Sequence, residues 1–320
     1  MSRKDSMRYT VGVEPRLCSA AFSKARAFLL NEARPLEAAL FAFDFEGAPA
    51  GDVLSRLRIF QNADGGFGKA LESDFRLPAS SPMASSVGLR HLLALPDSPS
   101  RRAMIEAAVG YLESGYDQER GAWYAVPPSV NDYPHAPWWH SDESSGHTPI
   151  DAYWGNPSAE LIGQLYACRY MLKRLDAERL VAAATAELNG RDSYGSPHEL
   201  YCYIRLYAAL PQGLAFAFKA SLYRGVAQHV DADPAHWGDY VPAPLKFLPL
   251  DSDERFGIRD EAISAHLDWL VERLEAAGVL EPNWSWGAYE DAWRQARIEW
   301  TGVLTLEALR WLKRFGRLPG

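Results

Sequence analysis

The sequence predicts an all-α protein whose helices form an (α/α)6 toroid, a double-layer helical barrel around a central cavity. Two observations predict this arrangement. Segments with a single apolar stripe alternate with segments that are apolar around most of their circumference, as expected for outer helices and for inner helices buried on all sides. The order of outer helix, Gly-aromatic turn and proline-started inner helix also recurs along the chain, which is typical of repeat proteins. An irregular α-solenoid, which exposes a groove instead of closing a cavity, is the alternative.

The first complete unit of this repeat spans residues 51–95. Residues 51–60 form its outer helix, and the turn QNADGGFG at residues 61–68 ends that helix, because Gly65 and Gly66 reach positive φ without a Cβ clash. Ser81-Pro82 then starts an inner helix, since a proline in the first turn loses no hydrogen bond. The same logic places the following prolines in the first turns of inner helices: Pro35, Pro82, Pro157 and Pro197.

Twelve main helices follow from this register. The predicted outer helices are residues 17–31, 51–60, 101–113, 175–188, 213–230 and 260–277. The predicted inner helices are residues 36–45, 82–95, 157–172, 199–210, a short Pro-rich segment at 242–250, and 300–315. Residues 15–320 therefore form one domain, preceded by a strap at residues 1–14, and residues 124–155 are a loop insertion within it.

Composition narrows the class of protein. The chain of 320 residues carries 41 acidic and 33 basic residues, for a net charge of −8. Nucleic-acid surfaces depend on clustered Lys and Arg, so no nucleic-acid partner is expected. Three dispersed cysteines predict no disulfide framework. The polar N-terminal segment predicts no signal peptide, and no apolar run is long enough to span a bilayer, so a cytoplasmic protein is expected.

The first Gly-aromatic turn resembles a motif of a known superfamily. Residues 61–67, QNADGGF, resemble the QW-type turn of terpenoid cyclases and protein prenyltransferases, and GAW at 121–123 and WSWG at 284–287 are weaker copies. Within that superfamily the chain looks like the short bacterial prenyltransferase-like group. The resemblance implies a deep apolar cavity that binds an apolar, polyprenyl-type ligand, with proton-initiated cyclisation or isomerisation as the reaction.

The catalytic signatures of that superfamily are missing from this sequence. The position of the cyclase DxDD motif holds ASSP at residues 79–82. Cys202 and His198 lie on one inner helix, but the Asp-x-Cys pair and the later His that hold zinc in prenyltransferases are absent. No DDxxD motif offers Mg²⁺ ligands. We therefore expect no metal and no other cofactor.

Two carboxyls are the candidate catalytic residues. Asp74 lies in the loop before an inner helix, where dry surroundings would raise its pKa and let it act as a general acid. Glu160 is one turn into the next inner helix, on an apolar segment. Arg76 would either anchor a ligand anion or pair with Asp74, which would leave Glu160 as the proton donor. A surface ion pair for Asp74, and a helix-dipole role for Glu160, are the structural alternatives.

Aromatic and basic residues near the same helix starts are the candidate ligand contacts. Tryptophan rings pack on apolar chains, stabilise cations and stack on sugars. We expect Trp154 to converge with Asp74, Arg76 and Glu160 on one cavity. The full set of predicted substrate-binding residues is Arg76, Trp138, Trp139, Trp154, Trp293, Arg297 and Trp300.

The insertion at residues 124–155 is rich in Pro, Trp and His. A loop of this length in a compact helical domain is usually functional or disordered, and its aromatic content makes disorder a poor explanation. We expect residues 133–154 to cover the inner-helix N-termini as a lid. His135, His140, His147 and Asp151 are potential metal ligands, but their spacing matches no zinc pattern and ordinary packing is the simpler interpretation.

Three functions remain open at this point. The first is an isoprenoid-handling enzyme, which requires a cavity lined by Leu, Phe and Trp. The second is a carbohydrate-active (α/α)6 enzyme, which requires a polar lining with paired carboxyls. The third is a catalytically inactive ligand-binding toroid. The lining of the interior therefore distinguishes them.

Overall fold

A computed structural model describes residues 14–319 and confirms an all-α protein. This part of the chain contains eleven α-helices and no strand. The helices are α1 Ser19–Asn31, α2 Pro35–Glu46, α3 Ala50–Arg58, α4 Pro82–Ala94, α5 Pro99–Ser114, α6 Gly155–Ala167, α7 Ala177–Asn189, α8 Pro197–Ala209, α9 Gln212–His229, α10 Asp260–Ala277 and α11 Glu290–Arg314. None of the described helices is long and apolar enough to cross a membrane.

Prolines start the predicted inner helices. Pro35, Pro82 and Pro197 are the first residues of α2, α4 and α8. Ser81 caps α4, because its hydroxyl accepts the backbone N–H of Ala84 at 3.0 Å. In α6 the φ and ψ angles of Asn156 are not helical, so regular helix begins at Pro157. Local sequence chemistry therefore fixes these helix starts.

Three predicted helices differ from the structure, and one of them is α6, which ends at Ala167, five residues before the predicted end at residue 172. The inner segment at residues 242–250 is not an α-helix but a 3-10 helix, Pro244–Phe247. Its three prolines, Pro242, Pro244 and Pro249, lack the N–H groups that helical hydrogen bonds need. The last helix begins at Glu290, ten residues before the predicted start at Trp300, with Glu290 and Asp291 in its first turn, where the helix dipole favours acids. Eleven α-helices thus replace the predicted twelve.

Helices that are distant in sequence pack together. α4 packs against α6, α6 against α8, and α8 against the 3-10 helix Pro244–Phe247. α1 packs against α10 and α11, and α11 also packs against α2. The first and last helices of the described chain are therefore in contact.

Arg317 joins the two ends of the described chain. The backbone N–H of Leu17 donates to the carbonyl of Arg317 at 2.8 Å. The buried Arg317 guanidinium donates to the Pro15 carbonyl and to Asp268, both at 2.8 Å, and forms an ion pair with Glu14 at 3.1 Å. The predicted strap at residues 1–14 lies outside the described residues except for Glu14.

The first Gly-aromatic turn is tightly packed. Gly65 has φ +92°, and a Cβ there would lie 2.2 Å from the carbonyl oxygen of Ala107 on α5. Phe67, fully buried, packs so closely on α4 that a Cβ at Gly88 would lie 2.6 Å from its ring. The turn thus fixes α3, α4 and α5 relative to one another, and it positions the loop at residues 71–80 that follows.

Candidate functional site

Two buried carboxyls, Glu72 and Asp74, lie in the loop that precedes α4. The backbone N–H of Asp74 donates to Glu72 Oε1 at 3.3 Å, so the two residues are in direct contact. Each faces different neighbours: Asp74 lies near Arg76, whereas Glu72 lies near Arg90 on α4. Glu72 therefore faces α4, whereas Asp74 faces a charge of its own loop.

Three tryptophans surround Asp74. Its Oδ1 accepts the indole N–H of Trp286 at 2.9 Å and that of Trp300 at 2.8 Å. Trp284 packs edge-to-face on Trp300, with ring centroids 5.3 Å apart, and lies close enough to stabilise the Asp74 carboxylate. Its buried Nε1 has no hydrogen-bond partner among the described residues. Trp284 therefore supports the Asp74 carboxylate by proximity, without a well-formed hydrogen bond.

The environment favours a single shared proton on this acid pair. Burial, and then the neighbouring Asp74 charge, raise the pKa of Glu72 to about 8. Burial also raises the pKa of Asp74, but the indole donors stabilise its ionised form and oppose that shift. Glu72 accepts one backbone N–H, that of Asp74, and has no indole donor, so the pair holds a proton near neutral pH and the donors around Asp74 favour placing that proton on Glu72.

Arg76 pairs with Glu299 of α11 and not with Asp74. Its guanidinium contacts the two Glu299 oxygens at 3.0 and 2.6 Å. Arg34, at the start of α2, forms a similar fork with Glu37 at 2.8 and 2.7 Å and lies 4.0 Å from Glu299. This network joins α2, the Asp74 loop and α11, which gives Arg76 a positioning role.

Glu160 is an ionised anchor. It accepts a bidentate pair of hydrogen bonds from Arg90 at 2.7 and 2.9 Å and a further one from Arg205 of α8 at 3.2 Å. Burial would raise its pKa, but Arg205 and Arg90 outweigh burial and hold the pKa below its usual range. This environment favours the ionised form of Glu160, which suits an anchor for Arg90 and Arg205 better than a proton donor.

Charged side chains from several helices meet behind the acid pair. Arg90 and Arg205 are joined by Lys246, on the 3-10 helix Pro244–Phe247, and by Glu307 of α11, which lies 3.3 Å from the Lys246 ammonium. Burial would raise the pKa of Glu307, yet Lys246, Arg205 and Arg90 lower it, so all four groups are close in space. We call Arg90, Glu160, Arg205, Lys246 and Glu307 the interior charge cluster.

The interior charge cluster is deep in the protein and still reaches solvent. Exposed fractions of the side chains are 39% for Arg90, 43% for Arg205, 40% for Lys246 and 42% for Glu307. Burial is nevertheless the leading influence on the pKa of Arg90 and of Glu307, so protein surrounds both groups. These side chains are therefore partly enclosed by protein and still accessible to solvent, and we call the place where they meet the recess.

The loop insertion packs on the Asp74 segment. Arg76 donates its backbone N–H to the Pro134 carbonyl, and Ala136 donates to that of Asp74, each at 2.8 Å. The ring of Trp139 packs edge-to-face on Phe75 at 5.3 Å. These contacts place part of the insertion beside the loop that leads into α4.

The remaining predicted ligand contacts do not meet at the acid pair. Trp154 donates its indole N–H to the Arg120 carbonyl at 3.2 Å, in the second Gly-aromatic turn. Trp138 is half-buried against the core, and Trp293 lies on α11 beside Trp286 at 5.7 Å. Arg297, also on α11, is exposed and pairs with Glu281 at 2.6 Å. The indole N–H of Trp154 thus has its partner in that turn, and its convergence with Asp74, Arg76 and Glu160 stays a prediction.

The histidines of the insertion pack with neighbouring side chains. His135 Nε2 lies 3.1 Å from His140 Nδ1, and the His147 ring stacks on Tyr124 at 4.0 Å. The Asp151 carboxylate accepts the Thr148 hydroxyl and the backbone N–H of Ala125, each at 2.8 Å. Within residues 14–319 no group of three or more His, Cys, Asp or Glu is placed to hold a metal ion.

Sequence reasoning missed the interior charge cluster and the paired role of Glu72. The sequence does contain an indication of the cluster: Arg90, Arg205 and Glu307 are charged residues within predicted inner helices that are otherwise mostly apolar. A charge on an inner helix costs free energy unless it is paired, so each such interruption marks a candidate partner. Which charges pair depends on the packing of α4, α6 and α8.

Two surface clefts lie away from these residues. One, of about 400 Å³, is lined by residues 169–178, and another, of about 380 Å³, lies between α7 and α9. None of the predicted site residues lines either cleft.

Comparisons with protein-family models, curated proteins and solved structures found no match to this chain. The resemblance of the first Gly-aromatic turn to terpenoid cyclases and protein prenyltransferases stays a prediction. Function must be inferred from the geometry of the site.

Proposed function

We propose that the helices close into the (α/α)6 toroid that the sequence predicts, with the interior charge cluster on its inner layer. The contact of α1 with α10 and α11 supports closure, because the ends of an open solenoid do not meet. The side-by-side packing of α4, α6 and α8 supports an inner layer.

Within this toroid, we infer a carbohydrate-active enzyme that cleaves a glycosidic bond by acid–base catalysis. The observation that carries the proposal is the Glu72–Asp74 pair, two buried carboxyls of which one has its pKa raised to about 8 and the other accepts two tryptophan indole N–H groups. Glycosidases use one protonated and one ionised carboxyl. The charged and solvent-accessible recess suits a hydroxyl-rich ligand better than a hydrocarbon, because hydrocarbon walls cannot satisfy Arg90, Arg205 or Lys246.

The two carboxyls have distinct roles in this reaction. Glu72 donates its proton to the glycosidic oxygen as the bond between that oxygen and the anomeric carbon breaks. A water molecule adds to the carbon and gives its proton to the Asp74 carboxylate, and exchange with solvent restores the starting protonation. The exposed Tyr240, 5.4 Å from Trp284, offers an aromatic surface on which a sugar ring can stack.

The isoprenoid function stays a second candidate because three tryptophans lie around Asp74. Aromatic faces stabilise carbocations, and a protonated Glu72 has the proton that a cyclisation would need. That reaction also requires an apolar wall along the whole ligand, and the interior charge cluster disfavours one. The carbohydrate proposal is therefore the stronger.

The proposal is tested by incubating the wild-type chain with arrays of neutral and acidic oligosaccharides and measuring newly formed reducing ends. We expect turnover of at least one class, and a loss of at least about 100-fold in Glu72→Gln, the size of a general-acid contribution. Glu113→Gln is the matched control, because Glu113 is another buried glutamate but caps the backbone N–H groups of residues 173–175.

Two results would contradict the carbohydrate proposal. One is release of reducing ends at the wild-type rate by Glu72→Gln. The other is no turnover of any saccharide together with conversion of a prenyl alcohol by the wild-type chain, which would favour the isoprenoid candidate.

A further inference from the structure

The interior charge cluster carries an unbalanced positive charge. Arg90, Arg205 and Lys246 contribute three positive charges, whereas Glu160 and Glu307 contribute two negative ones. The cluster therefore has a formal charge of +1. A positive charge in a partly enclosed recess attracts an anion, since it is less screened there than at an open surface.

The same side chains have unused hydrogen-bond donors. Each guanidinium carries five N–H donors. Arg90 uses Nε and Nη2 for Glu160, and Arg205 uses only Nη1. Most of their donors have no acceptor among residues 14–319, and both side chains reach solvent. They are free to bind the oxygens of a ligand.

The titratable groups next to the cluster do not change its net positive charge. His198, on α8, is close to Lys246 and Arg205, and burial followed by these two charges lowers its pKa to about 4, so it is uncharged near neutral pH. Tyr201, one turn before Arg205 on α8, lies near Glu307. Glu72, the acid that faces Arg90, is protonated near neutral pH. The local charge therefore stays positive.

Resting on the proposed carbohydrate function, we propose that the substrate is an acidic saccharide whose carboxylate or sulfate group binds to Arg90, Arg205 and Lys246. Arg90 is the link between this anion site and the catalytic pair, because one face of its side chain contacts Glu160 and Glu72 lies nearby. A single ligand can thus place its anion in the cluster and a glycosidic oxygen at Glu72.

The test compares matched ligands on the full chain by calorimetry: a trigalacturonate, a sulfated galactose trisaccharide and the corresponding neutral trisaccharide. We expect at least one anionic trisaccharide to bind at least about tenfold more tightly than the neutral one, because charge-assisted hydrogen bonds are about twice as strong as neutral ones. Arg205→Gln should lower the affinity of that ligand about tenfold and leave the neutral ligand unaffected. The variant should fold, since Glu160 keeps its bidentate partner Arg90.

Arg179→Gln is the control, because Arg179 on α7 is 89% exposed and remote from the recess. Lys246→Gln should reproduce the loss seen in Arg205→Gln. The preference between carboxylate and sulfate decides which anion the cluster recognises.

The failure of this inference differs from a failure of the proposed function. The anion site is overturned by equal binding of neutral and anionic trisaccharides, by an unaffected Arg205→Gln, or by no binding of the anionic trisaccharides and of glutarate alike. Cleavage of a neutral saccharide that depends on Glu72 would then still support the carbohydrate function. Binding of glutarate that Arg205→Gln weakens, without binding or cleavage of any saccharide, would instead retain the anion site and contradict the carbohydrate function.

Discussion

Replacing Glu72 by Gln should make the protein more stable and remove much of its sensitivity to alkaline pH. The usual glutamate pKa is 4.5, and in the fold that of Glu72 is about 8. Between these values the folded protein holds a proton that the unfolded chain has released. Stability therefore falls as pH rises through this range and levels off above about pH 8.

The expected size follows from about 1.36 kcal/mol per pKa unit. At pH 7, protonated Glu72 costs roughly 3 kcal/mol of unfolding free energy relative to a side chain that does not titrate. Between about pH 6.5 and about pH 8.5 the wild type should lose about 2 kcal/mol from this group alone. Burial lowers the pKa values of His91, His198 and His266, so these groups add stability as pH rises from about 6.5, and because they do so equally in wild type and in Glu72→Gln their effect cancels in the comparison.

Urea unfolding followed by tryptophan fluorescence measures this difference at several pH values. Relative to wild type, Glu72→Gln should gain about 2 kcal/mol of unfolding free energy from the lower to the upper end of the window, and it should be the more stable protein at the upper end. Glu113→Gln should behave oppositely: burial would raise the pKa of Glu113, but three backbone N–H donors lower it, so its removal destabilises the fold and leaves the pH slope intact. An equal slope in wild type and Glu72→Gln would refute the protonated Glu72 and with it the assignment of the general acid.

Three further predictions concern the supports of the site. Glu160→Gln should cost about 3 to 5 kcal/mol in urea unfolding, because Arg90 and Arg205 lose their buried partner, whereas Glu178→Gln, an exposed acid, should stay within about 0.5 kcal/mol of wild type. Trp300→Phe should cost about 1 to 2 kcal/mol by the same assay, since it keeps an aromatic ring but removes one N–H bond to Asp74. Gly65→Ala should cost at least about 2 kcal/mol in thermal unfolding, because of its φ of +92° and the Ala107 carbonyl, whereas Gly110→Ala in α5 should be neutral or stabilising.

Each of these has a contrary outcome. A wild-type stability of Glu160→Gln would mean that the arginines are satisfied by water alone. If Trp300→Phe were as stable as wild type, the indole bond to Asp74 would contribute nothing. Equal melting temperatures of Gly65→Ala and Gly110→Ala would contradict the tight packing of the turn.

Local chemistry made most of the fold predictable. Pro35, Pro82 and Pro197 start helices because each proline lacks the N–H that a first helical residue does not use, and this depends only on neighbouring residues. The 3-10 helix Pro244–Phe247 and the early start of α11 were missed. Three prolines in the first segment disfavour an α-helix, and two acids before the second favour an earlier helix start. Both predictions followed the spacing of the repeat instead of these local preferences.

The site was less predictable because its contacts are distant in sequence. Asp74 was a candidate from its position before α4, but its partners Trp286 and Trp300 are 212 and 226 residues away. Glu160 was a candidate acid, and only its contacts with Arg90 and Arg205 identify it as an ionised anchor. The sign of a pKa shift depends on which charges the packing brings together, and one sequence does not determine that packing.

The contact between the first and last helices has a consequence for synthesis in the cell. α1 ends at Asn31, and its partner α10 begins only at Asp260, so about 230 residues must be made before the two can pack. At translation rates of roughly 5 to 20 residues per second, α1 waits between about 10 and 50 s. Its buried face, Ala21, Ala25 and Leu29, lacks the α10 and α11 part of its packing during that time. The nascent chain therefore presents an apolar surface that a ribosome-associated chaperone can cover until α10 and α11 emerge.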